Sequence, residues 1–133
     1  GSEAFVNGDD TAARVRAVVE AQAMRLKLHS AWIPDRPTRL HVTGGASANT
    51  AICQVLADVF RAHVERLDTG NSAALGAAMR AANGAGGGAW ADITAMFCTP
   101  AETRTISPIT ENSGKYDTLI TDFAAFAAES VEN

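Results

Sequence analysis

The sequence predicts an α/β fold with a short parallel βαβ core and flanking helices. One observation is the order of its segments, in which patterns alternate as helix, strand, helix, strand, helix. A second is the stretch Val42–Phe60, where an apolar segment, two glycines and a helical pattern follow one another. A strand joined through a crossover helix to another strand forms a parallel pair, so helices are expected on the faces of the sheet.

Local signals delimit the elements. Asp10 is a suitable N-cap for the first helix, and Ile33-Pro34 ends its pattern. The helix after the glycines has the most regular apolar stripe, at i, i+3, i+4, i+7 and i+8: Ile52, Val55, Leu56, Val59 and Phe60. The other helices are predicted at about Thr11–Trp32, Ser72–Asn83, Ala89–Phe97 and Lys115–Val131. Strands are predicted at Arg39–Thr43 and His63–Leu67, and an irregular loop at Thr99–Ser113.

Composition excludes several classes of protein. The 133 residues suit one domain or part of one, with 47% hydrophobic and 20% charged residues, as in ordinary soluble proteins. A net charge of −4 without a Lys or Arg run argues against nucleic acid, and no apolar segment is long enough to cross a membrane. The two distant cysteines, Cys53 and Cys98, fit free thiols in a reducing cytoplasm. Gly1-Ser2 resembles a cloning remnant, so residues 3–133 are expected to be a piece of a longer protein.

Three motifs have simpler explanations than the chemistry they suggest. Gly84–Ala89 matches a dinucleotide pattern but follows a helix, whereas that site requires a preceding strand. Asp68-Thr69-Gly70 matches the aspartic protease triplet but leads into an alanine-rich helix, so a capped turn is the better interpretation. The histidines His29, His41 and His63 lack metal-ligand spacing. No catalytic residue and no metal ligand is therefore assigned.

Gly44-Gly45 is the remaining candidate site. In a parallel α/β unit ligands bind outside the carboxyl ends of the strands, and the following helix N-terminus attracts anions. Without Cβ atoms at these positions, a phosphate or ribose can lie directly on the backbone. Asn49 carries a donor and an acceptor that can match an adenine edge. A glycine turn with no ligand is the more common outcome of this local pattern.

Several blocks in matching order then add a family resemblance. Thr43-Gly44-Gly45-Ala46-Ser47-x-Asn49 is followed by Gln54–Phe60, by Asp68-Thr69-x-Asn71-Ser72-Ala73 and by Gly76-x-Ala78. Together they resemble the C-terminal domain of FGGY-family carbohydrate kinases, with xylulokinases the nearest likeness. The strong match covers about Val42–Ala82 and a weaker one covers Ala12–Leu28. His63 departs from the proline that is frequent there.

The resemblance implies an actin-like, ribonuclease-H-like ATPase fold in which two domains enclose sugar and ATP. It makes Gly44, Gly45, Ala46 and Asn49 contacts of the nucleotide. The parent would be an ATP- and Mg²⁺-dependent cytoplasmic kinase that converts D-xylulose to D-xylulose 5-phosphate. The family's catalytic base and sugar-binding residues lie upstream of this chain, so the isolated chain is expected to be inactive.

Two interpretations remain open at this point. One is the adenosine-side portion of a pentulose kinase, and the other is a non-catalytic α/β module that binds nucleotides or partners on the same scaffold. Surfaces normally covered in the parent, such as Leu75–Met79, would be exposed in this piece. We therefore expect homodimers or larger species as concentration rises.

Overall fold

A computed structural model describes residues 10–67, 71–99 and 105–129. Within these ranges there are five helices and three strands, with a short 3-10 helix between β1 and α2 at Gly45–Ala48. The helices are α1 Thr11–His29, α2 Thr50–Phe60, α3 Ser72–Gly84, α4 Trp90–Phe97 and α5 Thr110–Glu129. The strands are β1 Arg39–Val42, β2 His63–Arg66 and β3 Thr105–Ile106. Among the described residues, no helix is long and apolar enough to span a membrane.

The sheet has the order β1-β2-β3. β1 and β2 are parallel, with Leu40 opposite Val64, as the crossover through α2 predicts. β3 pairs antiparallel to β2, with Ile106 opposite Val64. This two-residue strand lies inside the segment 99–113 that the sequence predicted to be a loop. That prediction was wrong there because two residues carry no periodicity, and only the β2 edge supplies their pairing.

Helix α2 lies between the sheet and the two helices α1 and α5. Toward the sheet, Cys53 and Ala57 are completely buried against Val64. Toward α1 and α5, Val55 and Val59 pack with further buried side chains, namely Ala23, Met24 and Tyr116. A helix with apolar contacts on two sides is held firmly in place. The residues that precede α2 are therefore positioned by the core itself.

Helix α1 differs from its sequence pattern in two ways. Asp10 caps it as predicted, with its carboxylate accepting from the Ala13 N–H at 3.0 Å. The helix ends at His29 instead of Trp32, because the Ser30 hydroxyl donates to the Lys27 carbonyl and the chain continues in tight turns. Its buried residues are Ala23 and Met24, whereas Val15 and Leu26 of the spaced apolar set are 60% and 58% exposed.

Helix α5 begins at Thr110, five residues before the predicted start at Lys115, and is described up to Glu129. The predicted end at Val131 lies outside the described residues. Its entry is held by Asp58 of α2, whose carboxylate accepts from the Ile109 N–H at 2.7 Å and from Asn112 Nδ2 at 2.8 Å. These contacts join residues more than fifty positions apart, so the local sequence gave no sign of them.

Helices α3 and α4 form a hairpin. The side chains of Met79 and Ile93 are buried in it, and the guanidinium of Arg80 lies 5.2 Å from the ring centroid of Trp90. The glycine-rich connection has positive φ at Gly86 and Gly88, where L-residues are strained. It connects two helices, so it lacks the strand that a dinucleotide site requires.

Candidate functional site

The site predicted from the sequence is the segment Gly44–Asn49, here called the Gly-Gly turn. It leaves the carboxyl end of β1, forms the 3-10 helix and enters α2 at Thr50. Gly44 has φ 91° and ψ −177°, a conformation that is accessible almost only to glycine. The first glycine is therefore required by the backbone itself.

Ser47 and Cys53 support the turn from its buried side. The Ser47 hydroxyl donates to the Gly44 carbonyl at 2.7 Å, and the Ser47 N–H donates to the same oxygen at 3.1 Å. The Cys53 thiol lies 3.5 Å from the Ser47 carbonyl, and burial raises the pKa of this thiol, so it remains a neutral donor. The sequence analysis did not identify Ser47 as a support of the turn, although serine hydroxyls commonly bond backbone groups three or four residues earlier in the chain.

Asn49 is the N-cap of α2. Its side-chain oxygen accepts from the Ala51 N–H at 2.9 Å and from the Ile52 N–H at 3.2 Å. The oxygen therefore already accepts two hydrogen bonds, and these satisfy two N–H groups at the start of the helix. The predicted use of the amide as a paired donor and acceptor for adenine would require the cap to break. Only the Nδ2 group remains suited to a ligand.

Gly45 has no such structural explanation. Among the described residues, no atom lies within 4 Å of a Cβ added there, and the φ of Gly45 lies outside the positive range. Its N–H and that of Ala46 open the 3-10 helix, where intrahelical partners are lacking, and they form no hydrogen bond with another described residue. Both residues are exposed. The turn thus has two N–H groups on exposed residues, without a partner among the described residues, beside a position without a side chain.

The four predicted contacts are brought together on this exposed turn, and the other motifs lie elsewhere. Asp68-Thr69-Gly70 falls outside the described residues, while Asn71 caps α3 by accepting from the Ala74 N–H at 3.1 Å. His41 Nε2 lies 3.0 Å from Glu65 Oε2, and His63 Nδ1 lies 3.2 Å from Ser107 Oγ. Within the described ranges no three His, Cys, Asp or Glu side chains converge on a possible metal site. No ligand of Mg²⁺ is therefore assigned on this chain.

Comparison with known proteins gives consistent matches. Residues 6–85 match the model of the FGGY family of carbohydrate kinases, C-terminal domain. Xylulose kinase of Rattus norvegicus is 47% identical over 77 residues, which cover 56% of this chain and 14% of that protein. Xylulose kinase 2 of Arabidopsis thaliana is 39% identical over 77 residues, with the same two coverages. The chain therefore spans only a small part of these relatives.

A solved structure supports the fold. The crystal structure of xylulose kinase from Rhodospirillum rubrum superposes with a TM-score of 0.69 and 28% identity, covering 92% of this chain and 26% of that one. The predicted actin-like α/β class with a parallel βαβ core is confirmed. The matched family segment contains the whole Gly-Gly turn. The chain belongs to the FGGY family of carbohydrate kinases and carries the C-terminal domain of that family.

Proposed function

We propose that the Gly-Gly turn binds the nucleotide of an ATP-dependent sugar kinase. The observation that carries this proposal is Gly45, an exposed glycine that the fold of the chain does not itself require. A ligand that rests directly on the backbone supplies the missing reason, since even a methyl group would occupy its place. The N–H groups of the exposed residues Gly45 and Ala46 suit phosphate oxygens.

In this proposal the residues in and around the turn have different roles. Gly44 sets the direction of the chain, and Ser47 and Cys53 hold it there, so the N–H groups are oriented before the ligand arrives. Pre-orientation lowers the entropic cost of binding. Asn49 fixes the start of α2 through its oxygen and offers Nδ2 to the nucleotide.

The names of the relatives support a specific reaction for the parent enzyme. Xylulose kinases are prominent among the similar proteins, so the sugar would be a pentulose, with D-xylulose converted to D-xylulose 5-phosphate. ATP would supply the γ-phosphate and Mg²⁺ would neutralise its charge. Residues 3–133 would form the adenosine-side portion, while the missing portion would provide the base and most sugar contacts. A cytoplasmic location fits the two free cysteines.

The nucleotide site is tested by titrating the chain with ADP and with adenosine, and by measuring binding through calorimetry and amide NMR. Binding should cause the largest chemical-shift changes at the amides of Gly45 and Ala46, because in this proposal their N–H groups contact the ligand. The chain alone should release no ADP above background when it is incubated with ATP, Mg²⁺ and xylulose. Nucleotide binding without turnover, even after the upstream part of the parent is restored, would favour a non-catalytic module.

Self-association is part of the same proposal. The expected surface at Leu75–Met79 is only partly open, because Met79 is 5% exposed within the α3–α4 hairpin and Leu75 is half-buried. Exposed apolar side chains of the described residues lie instead at Val15 and Leu26 of α1 and at Met96 of α4. If the parent's remaining portion normally covers such surfaces, the isolated chain will form dimers or larger species as its concentration rises. Sedimentation at several concentrations measures this.

A further inference from the structure

Arg66 lies at the carboxyl end of β2, next to the Gly-Gly turn. It pairs in register with Val42, and the following N–H of Leu67 donates to the Val42 carbonyl at 3.0 Å. Thr43 alone separates Val42 from Gly44. Because the two strands are parallel, the end of β2 and the start of the turn lie at the same edge of the sheet.

The side chain of Arg66 extends on the side of the sheet that α2 covers. Side chains alternate along a strand, so Arg66 shares a face with Val64, which packs against Cys53 and Ala57. The Arg66 guanidinium also lowers the pKa of the Cys53 thiol, although burial raises it more strongly. Cys53 in turn contacts the Ser47 carbonyl. The strand register and this charge effect together place Arg66 on the α2 side of the sheet, at the edge from which the Gly-Gly turn starts.

The local environment of Arg66 is unfavourable for the folded chain alone. Its Nε atom is buried and has no hydrogen-bond partner in the structure, as far as residues 10–67, 71–99 and 105–129 show. A donor removed from water without a new acceptor lowers stability, and such groups in native proteins call for an explanation. An apolar residue would fit the end of this buried strand better.

We propose that Arg66 binds a phosphate group of the nucleotide that rests on the Gly-Gly turn. This inference rests on the proposed nucleotide site and adds a specific charged contact to it. A guanidinium keeps its charge at all physiological pH values and offers several N–H donors in a planar arrangement that matches phosphate oxygens. In this proposal, the stability lost through the unpaired Nε is offset by the positive charge that the guanidinium offers to the phosphate at the edge of the sheet.

Binding of ADP and of adenosine to Arg66→Met and to wild type tests this role. Methionine keeps an apolar stem and removes only the charged head. ADP affinity should fall roughly ten-fold or more, as expected for a lost charged hydrogen bond, while adenosine affinity stays within about two-fold. The melting temperature should be unchanged or higher, since an unsatisfied donor is removed. Arg66→Lys should recover part of the ADP affinity.

Arg25→Met is the matched control, because Arg25 lies on the exposed side of α1 and its loss changes net charge equally. It should leave both affinities unchanged. Three results for Arg66→Met would overturn the inference: an ADP affinity equal to that of wild type, an equal loss of ADP and adenosine affinity, or a lower melting temperature. Any of them would mean that Arg66 makes no phosphate contact. A wild-type chain that binds neither ligand would instead refute the nucleotide site itself, and with it the role of Arg66.

Discussion

Asp58 of α2 accepts a 2.7 Å hydrogen bond from the backbone N–H of Ile109, at the entry of α5. The same carboxylate accepts from Asn112 Nδ2 and from Gln54 Nε2, and Asp58 is only 2% exposed. One buried side chain thus connects the central helix to the start of the last helix. The pairing explains how a segment of low helix propensity, Thr110–Gly114, becomes helical.

Replacement of Asp58 by alanine should therefore destabilise the domain strongly. Three partners lose their acceptor, and a donor left unsatisfied at this partly buried place costs about 1–3 kcal/mol on its own. We expect a total loss of about 3 kcal/mol in the free energy of unfolding, measured by urea denaturation. Asp122→Ala, at an exposed position of α5, is the control and should change stability by less than about 0.5 kcal/mol. Equal stability of the two variants would contradict this role of Asp58.

The two adjacent glycines should respond differently to alanine. Gly44→Ala places a side chain at φ 91° and should cost about 1–3 kcal/mol. Gly45→Ala meets open space at an ordinary φ and should be close to neutral. Thermal melting of the two variants measures this difference. Of these two glycines, only Gly44 has a positive φ, so the backbone strain of a substitution falls on Gly44.

Gly45→Val extends this pair to the ligand. The variant should fold with nearly wild-type stability and yet bind ADP at least about ten-fold more weakly, because a branched side chain occupies the ligand's place. In the intact kinase, KM for ATP should rise far more than KM for the sugar. Undiminished ADP binding by a folded Gly45→Val chain would show that the second glycine has no role in binding.

Asn49 can be separated into a capping role and a binding role. Asn49→Ala removes the cap and should cost about 1 kcal/mol of stability, whereas Asn49→Ser keeps a capping oxygen and should cost less. Both variants lack Nδ2, so both should weaken ADP binding by roughly five-fold. Melting curves and calorimetry report the two roles separately. If ADP affinity declines only in Asn49→Ala, the side chain acts as a cap and not as a contact.

Tyr116 predicts a specific alkaline instability. Its hydroxyl donates to Glu20 Oε1 at 2.8 Å, and burial, reinforced by this carboxylate, raises the pKa of Tyr116 to about 12. Because the folded state favours the neutral phenol, this contribution to stability is complete below pH 10 and is lost as pH rises from about 10 to about 12. The loss amounts to about 2–3 kcal/mol.

Tyrosinate absorbance measures this directly, since Tyr116 is the single tyrosine of the chain. The native protein should titrate clearly above pH 10, and the unfolded protein near 10. Tyr116→Phe should remove the corresponding decline in the free energy of unfolding between pH 10 and 12. A native midpoint at the ordinary value, or an unchanged decline in the Phe variant, would refute the prediction.

The sequence alone determined the features that depend on local pattern. Alternating helical and strand-like segments predicted β1, α2 and β2 as a parallel unit, because residue periodicity reports directly on burial. Asp10 was recognised as a cap from its position, and the Gly-Gly turn as a candidate site from its place between strand and helix. The same glycines also carried the family resemblance, which composition could not have provided.

The tertiary structure decided what depends on contacts between distant residues. Asp58 set the start of α5, and the edge of β2 ordered the short β3, because contacts across forty or more residues leave no local pattern. In α1, Val15 is exposed whereas Ala23 is buried, although both positions fit the same helical repeat. The neighbouring helices determine which of the two is covered. Within the turn, only the backbone angles separated a glycine required by φ from one that the fold leaves free. That distinction arises from three-dimensional geometry, which two identical letters in a sequence cannot express.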